Sequence, residues 1–146
     1  MSYISASMDG LFALRWGANP EEPDVEKYVQ EVRKARQAHG KPLVGLFIMP
    51  PDSKAPGESF RKIQAAKLPE LMKDLSYAVA VFEGDGFMSS LKRSALVGIL
   101  LLAPKHYPIH VRATVEDALV RKPAGPIEFD AKRALAELRR QRLISN

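Results

Sequence analysis

Seven consecutive apolar residues, LVGLFIM at positions 43–49, run directly into the polar stretch PPDSKAPGES at 50–59, and a helical pattern restarts at Phe60. The run is too continuous for a half-exposed strand and too short for a typical helix, so it reads as an interior strand of a largely parallel sheet. A second run, YAVAVF at 77–82, reads the same way. Two such strands flanking a helical segment confine the chain to an α/β architecture with crossover helices. They also single out the strand-to-helix junction, because a helix N-terminus offers unpaired N–H groups and a positive dipole end.

The remaining elements fit around these two. Residues 3–8 and 11–16 are strand-like and flank Asp9-Gly10, a hairpin-turn dipeptide. A helix follows, with Asn19 or Asp24 as its cap, Val25, Tyr28, Val29, Val32 and Ala35 at helical spacing, and Gly40 just past its end. The segment 59–75 predicts a helix with Ser59 able to cap it and Phe60, Ile63, Ala66, Leu71 and Leu75 broadly on one side. Pro69 predicts a kink or a restart near Lys67. Residues 83–86, EGDG, form a turn, and 87–103 reads as a helix apolar over most of its circumference. A short strand at 109–113 precedes a helix opened by Thr114 as cap, with Asp117 completing a variant capping box. After PAGP at 123–126, Asp130 can cap a last helix carrying Ala131, Ala134, Leu135 and Leu138 on one side.

Composition narrows the function classes. At 146 residues the chain suits one hydrophobic core. It has no cysteine, which removes thiol chemistry and disulfides and agrees with a reducing, cytoplasmic setting. The N-terminal residues lack the basic and apolar regions of a signal peptide. The apolar run 95–103 is about half of what a membrane-spanning helix needs. A net charge of +5 is spread among both signs instead of forming a basic face, which argues against nucleic acid.

The opening hairpin, the strand at 43–49 leading to a loop with Asp52 and Ser53, and the closing YPIHVRATVEDAL at 107–119 together resemble the STAS family (sulfate transporter and anti-sigma-factor antagonist), in its divergent bacterial branch of small stand-alone domains. The resemblance implies an α/β sandwich, with a mixed central sheet opened by an N-terminal hairpin and four crossover or flanking helices. It would span residues 1–122, with a linker at 123–126 and an extra amphipathic C-terminal helix within 127–146. It also implies a non-catalytic regulatory or signalling module. In members that act as phosphorylation switches, a Ser or Thr follows an Asp at the strand end, the place held here by Asp52-Ser53. The insertion 54–58 is a departure that leaves Ser53 and Ser59 as alternative switch positions.

The candidate contact residues follow from this arrangement. Asp52, Arg61 and Lys62 belong to the junction, and Glu83 and Asp85 to the following turn, which shares its sheet end if the strands are parallel. Phe87, Met88, Leu91 and Leu96 belong to the apolar helix, read either as core, as a homodimer or partner surface, or as a pocket wall. The plainer reading of Asp52, Ser53 and Ser59 is a local turn and a cap. His39, His106 and His110 have no spacing to carboxylates that would make a triad or a metal set. The sequence therefore leads to protein–protein interaction without catalytic residues, cofactor or metal, with a small-ligand or lipid-binding domain as the alternative.

Overall fold

The computed structural model describes residues 2–84, 87–103, 105–121 and 129–144, with 87–89 as backbone only. Along the chain the elements are β1 (Tyr3–Met8), β2 (Leu11–Trp16), α1 (Pro23–His39), β3 (Leu43–Met49), α2 (Glu58–Met72), β4 (Leu75–Phe82), α3 (Phe87–Leu102), β5 (Ile109–Arg112), α4 (Val115–Val120) and α5 (Ala131–Arg140). The strands form one mixed sheet in the order β1-β2-β3-β4-β5, antiparallel between β1 and β2 and parallel thereafter. This is the expected α/β sandwich opened by a hairpin. Asp9 and Gly10 turn the hairpin with φ of 41° and 87°, the left-handed pair that suits a two-residue loop.

Because each parallel strand is added on the same side of its predecessor, crossovers of one hand bring α1, α2 and α3 to a single face. That face holds Phe12, Leu14 and Trp16 of β2, Val25, Tyr28, Val29 and Val32 of α1, Phe60, Leu68 and Leu71 of α2, and Ile99 of α3. The opposite face, with Leu46 and Ile48 of β3 and Val79 and Val81 of β4, is covered by α4, α5 and flanking residues, among them Leu119, Phe129, Leu138 and Leu143. The C-terminal helix is thus part of the second core. The linker residues 123–126 lie outside the described residues.

Local signals explain most boundaries. Gly40 ends α1 with φ of 84° and returns its N–H to the Arg36 carbonyl. Thr114 Oγ1 accepts from Asp117 N–H at 3.0 Å and Asp130 Oδ1 from Arg133 N–H at 3.1 Å, capping α4 and α5. Thr114 thus makes its half of the expected box, while the Asp117 carboxylate pairs with Arg121 at 3.4 Å.

Four expectations need correction. The cap position of α1 is Glu22, with Pro23 opening the helix, and neither Asn19 nor Asp24 caps it. The buried Asp24 carboxylate instead accepts from the Ser2 hydroxyl at 2.7 Å and the Ser2 amide, and pairs with Lys27, fastening the start of β1 to α1. The cap position of α2 is Gly57, not Ser59, and the helix runs unbroken through Pro69 to Met72. Its buried side is Phe60, Ala65, Leu68, Leu71 and Met72, whereas Ala66 is exposed and Leu75 opens β4.

Hydrogen bonds from Ser2 hold the Asp24 carboxyl below its ordinary pKa, so the stabilisation is present above the unfolded value near pH 4 and is lost as pH falls through the folded value. Asp24→Asn is expected to lower unfolding free energy by about 2 kcal/mol at pH 7, with the difference from wild type shrinking below about pH 4 in urea titrations.

Candidate functional site

The loop after β3 begins with two prolines, which contribute carbonyls but no N–H, so its acceptors outnumber its donors. Lys92 of α3 corrects the imbalance. Its side chain is only 1% exposed, and Nζ donates to the Pro50 carbonyl at 2.7 Å and the Pro51 carbonyl at 3.1 Å. Burial pushes the Lys92 pKa below that of an ordinary lysine, and the charge on Asp52 opposes the shift. Ser53 N–H also returns to the Pro50 carbonyl at 3.1 Å, and Lys54 N–H reaches Ala18 O at 2.9 Å, so the loop is tied to the segment that follows β2.

The neighbouring turn closes against the same prolines. Glu83 N–H donates to Met49 O at 2.9 Å, and Gly84, at φ of 91°, lies so close that a Cβ there would sit 3.1 Å from Pro51 Cβ. The Glu83 carboxylate is bound to Arg15 at 2.7 Å, and Arg15 also donates to Leu143 O at 3.2 Å. The junction and the turn therefore share one sheet end, as expected, but Glu83 is committed to a structural ion pair.

Beneath this loop lies an apolar cavity of about 110 Å³ between the sheet, α2 and α3. Its origin is the choice of small residues on the helix-covered side of the central strands. Gly45 pairs with Ala78, and two positions on Phe47 pairs with Ala80. A Cβ on Gly45 would come within 2.8 Å of the Phe47 ring, so the glycine is what lets that ring lie over β3. Phe47, Met49, Phe60, Leu96, Leu100 and Ala80 are among the residues lining the space, and Lys92 lines it too. Phe47, Met49 and Ala80 stay half-buried although they belong to central strands, which places the opening toward the C-terminal ends of β3 and β4. Edge-to-face rings at 5.6–5.9 Å connect Phe60, Trp16, Tyr28 and Phe47, giving the inner wall fixed geometry. Tyr28 O–H donates to Gln64 Oε1 at 2.6 Å, and burial raises its pKa.

The other candidate residues distribute as follows. Asp52 and Ser59 are exposed, while Ser53 is 1% exposed with its Oγ lacking a protein partner. Lys62 is exposed and pairs with Glu58 at 3.2 Å. Arg61 is half-buried against α3, where a Cβ on Gly98 would meet its Nη1 at 3.2 Å. Leu91 is exposed and Leu96 half-buried in the cavity wall. Asp85 lies outside the described residues, as do the side chains of Phe87 and Met88. His110 meets the Tyr77 ring edge-on at 5.8 Å, and among the described residues no cluster of His, Cys, Asp or Glu has metal-binding form. The residue not singled out from sequence is Lys92. Its spacing to Ala95, Leu96 and Ile99 is the i, i+3, i+4, i+7 series of a buried stripe, and that was the available signal.

No model of a known protein family matches the chain, and no curated protein is similar to it in sequence.

Replacing Lys92 with Met leaves the Pro51 carbonyl without its side-chain donor and the Pro50 carbonyl with the Ser53 N–H alone. Amide exchange at Lys54 is expected to accelerate by at least about tenfold in native-state hydrogen exchange, while amides in the middle of β3 change far less.

Proposed function

We propose that the chain is a non-catalytic, cytoplasmic regulatory or scaffolding module of STAS-like type that works by binding another protein. The observation that carries this reading is the outer face of α3. Leu101 is 81% exposed and Val97 and Leu102 are each 55% exposed, on a helix whose other side is packed in the core. Isolated exposed apolar residues are ordinary, but several on one helix make a patch that favours a covering surface.

Charge narrows the partner. The α3 sequence FMSSLKRSALVGILLL contains no acidic residue, and Arg93 is exposed beside the patch. The adjoining loop adds the exposed Lys54, while Lys62 of α2 is paired with Glu58. A surface of this kind suits a different protein presenting an apolar ridge with an acidic rim, and like charge disfavours two copies meeting face to face. Asp52 and Ser59, exposed at the same end of the sheet, are the positions through which the loop would add to such a contact.

The exposed positions can be changed without disturbing the core. Leu101→Glu and Val97→Glu are each expected to keep the wild-type melting temperature and to weaken partner binding by roughly tenfold or more, read by affinity purification with mass spectrometry and then by titration of the purified partner. A partner retained equally by both variants removes α3 as the contact surface. A wild-type dimer in light scattering that the variants convert to monomer identifies a second copy as the occupant instead.

A further inference from the structure

We propose that the cavity beneath the 50–57 loop is a binding site for an amphipathic carboxylate, with the apolar tail lying between Ala80, Phe47 and Leu96 and the headgroup on Lys92 Nζ. Protein interiors are packed to crystal-like density, so an apolar space of about 110 Å³ that opens at strand ends is a departure from ordinary packing. A dry cavity of about 150 Å³ accommodates benzene, and this one has room for a carboxylate and the first carbons of its chain, with the rest of the ligand in the opening. The small side chains of Gly45, Ala78 and Ala80 maintain that room.

Lys92 supplies the polar contact. An ammonium carries three protons, and the Pro50 and Pro51 carbonyls account for two of them. Among the described residues no carboxylate makes an ion pair with Lys92, and the charge on Asp52 only counters the effect of burial on its pKa. A buried cation bordered by carbonyls and apolar side chains is costly, and an anionic ligand headgroup would relieve it. The chemistry favours a carboxylate over a phosphate, since phosphate sites gather several cations or a bidentate arginine, and among the described residues a single ammonium borders the space. The loop held by Lys92 also contains the buried Ser53 hydroxyl without a protein partner.

This inference is independent of the protein-binding reading. Its test is calorimetric titration of the full chain, freed of copurified lipid, with decanoate and with decanol. Saturable decanoate binding is expected, with decanol at least about tenfold weaker, the loss of one charge-assisted hydrogen bond. NMR cross-peaks should join the decanoate chain to the Ala80 methyl group. Lys92→Met should bring the two affinities together, and Leu101→Glu should leave both unchanged. The comparison on the unaltered chain decides the matter even if Lys92→Met does not fold. Equal affinities, binding without contact to Ala80, or no saturable decanoate binding at millimolar concentration would each overturn the proposal.

Discussion

The arrangement at the sheet's C-terminal end depends on one lysine meeting two proline carbonyls. A Pro-Pro pair leaving a central strand brings two carbonyls and no N–H, and the Pro50 carbonyl is buried where it meets Lys92 of α3. Lys92 fills that deficit from a helix more than forty residues downstream, making the position of α3 and the path of the loop a single problem. The contacts of Lys54 with Ala18, of Glu83 with Met49 and of Gly84 with Pro51 carry the same constraint across β2, β3 and β4. A loop that looks long and free in sequence is fastened at several points.

The face beneath that loop shows how small residues shape a core. Gly45 is unfavourable in a strand on propensity alone, yet it admits the Phe47 ring, which stands against Tyr28 and so joins the aromatic series to Trp16 and Phe60. Ala78 and Ala80 continue the shallow strip on β4. The same helix α3 presents Leu96 and Ile99 inward and Val97 and Leu101 outward, so an inner cavity and an outer apolar patch are two sides of one element. A change in how α3 is seated would be felt at both.

Fold class, element order and most strand limits were legible because they rest on periodicity and on residues that act locally: Asp9-Gly10, Gly40, Thr114 and Asp130 do what short-range chemistry demands of them. The misreadings share a different cause. Asp24 has the right chemistry for a cap but is drawn to Ser2, a contact across 22 positions. Ser59 lost the cap of α2 to Gly57, whose extended backbone begins the helix two residues earlier without any side-chain bond. Pro69 sits inside an unbroken helix although it cannot donate to the carbonyl four residues back, so local propensity is overridden there by the packing of Leu68, Leu71 and Met72. Lys92 lay in plain view on a buried stripe, but only the tertiary partner, two carbonyls from another loop, explains a cation there. Partner and ligand are decided by surfaces, and a single sequence shows their composition without showing what they face.

The monotonic strand order has a consequence for how the molecule comes together. The helices α1, α2 and α3 arrive between the strands they connect, so the first face of the sheet is covered as it is built. The second face waits: Leu46, Ile48, Val79 and Val81 stay bare until α4 has been made and are only partly covered until residues 129–144 have been synthesised and folded back. During translation the chain therefore passes through a half-closed stage with a finished front and a greasy back, the form in which a nascent domain is most exposed to chaperones and to misassembly.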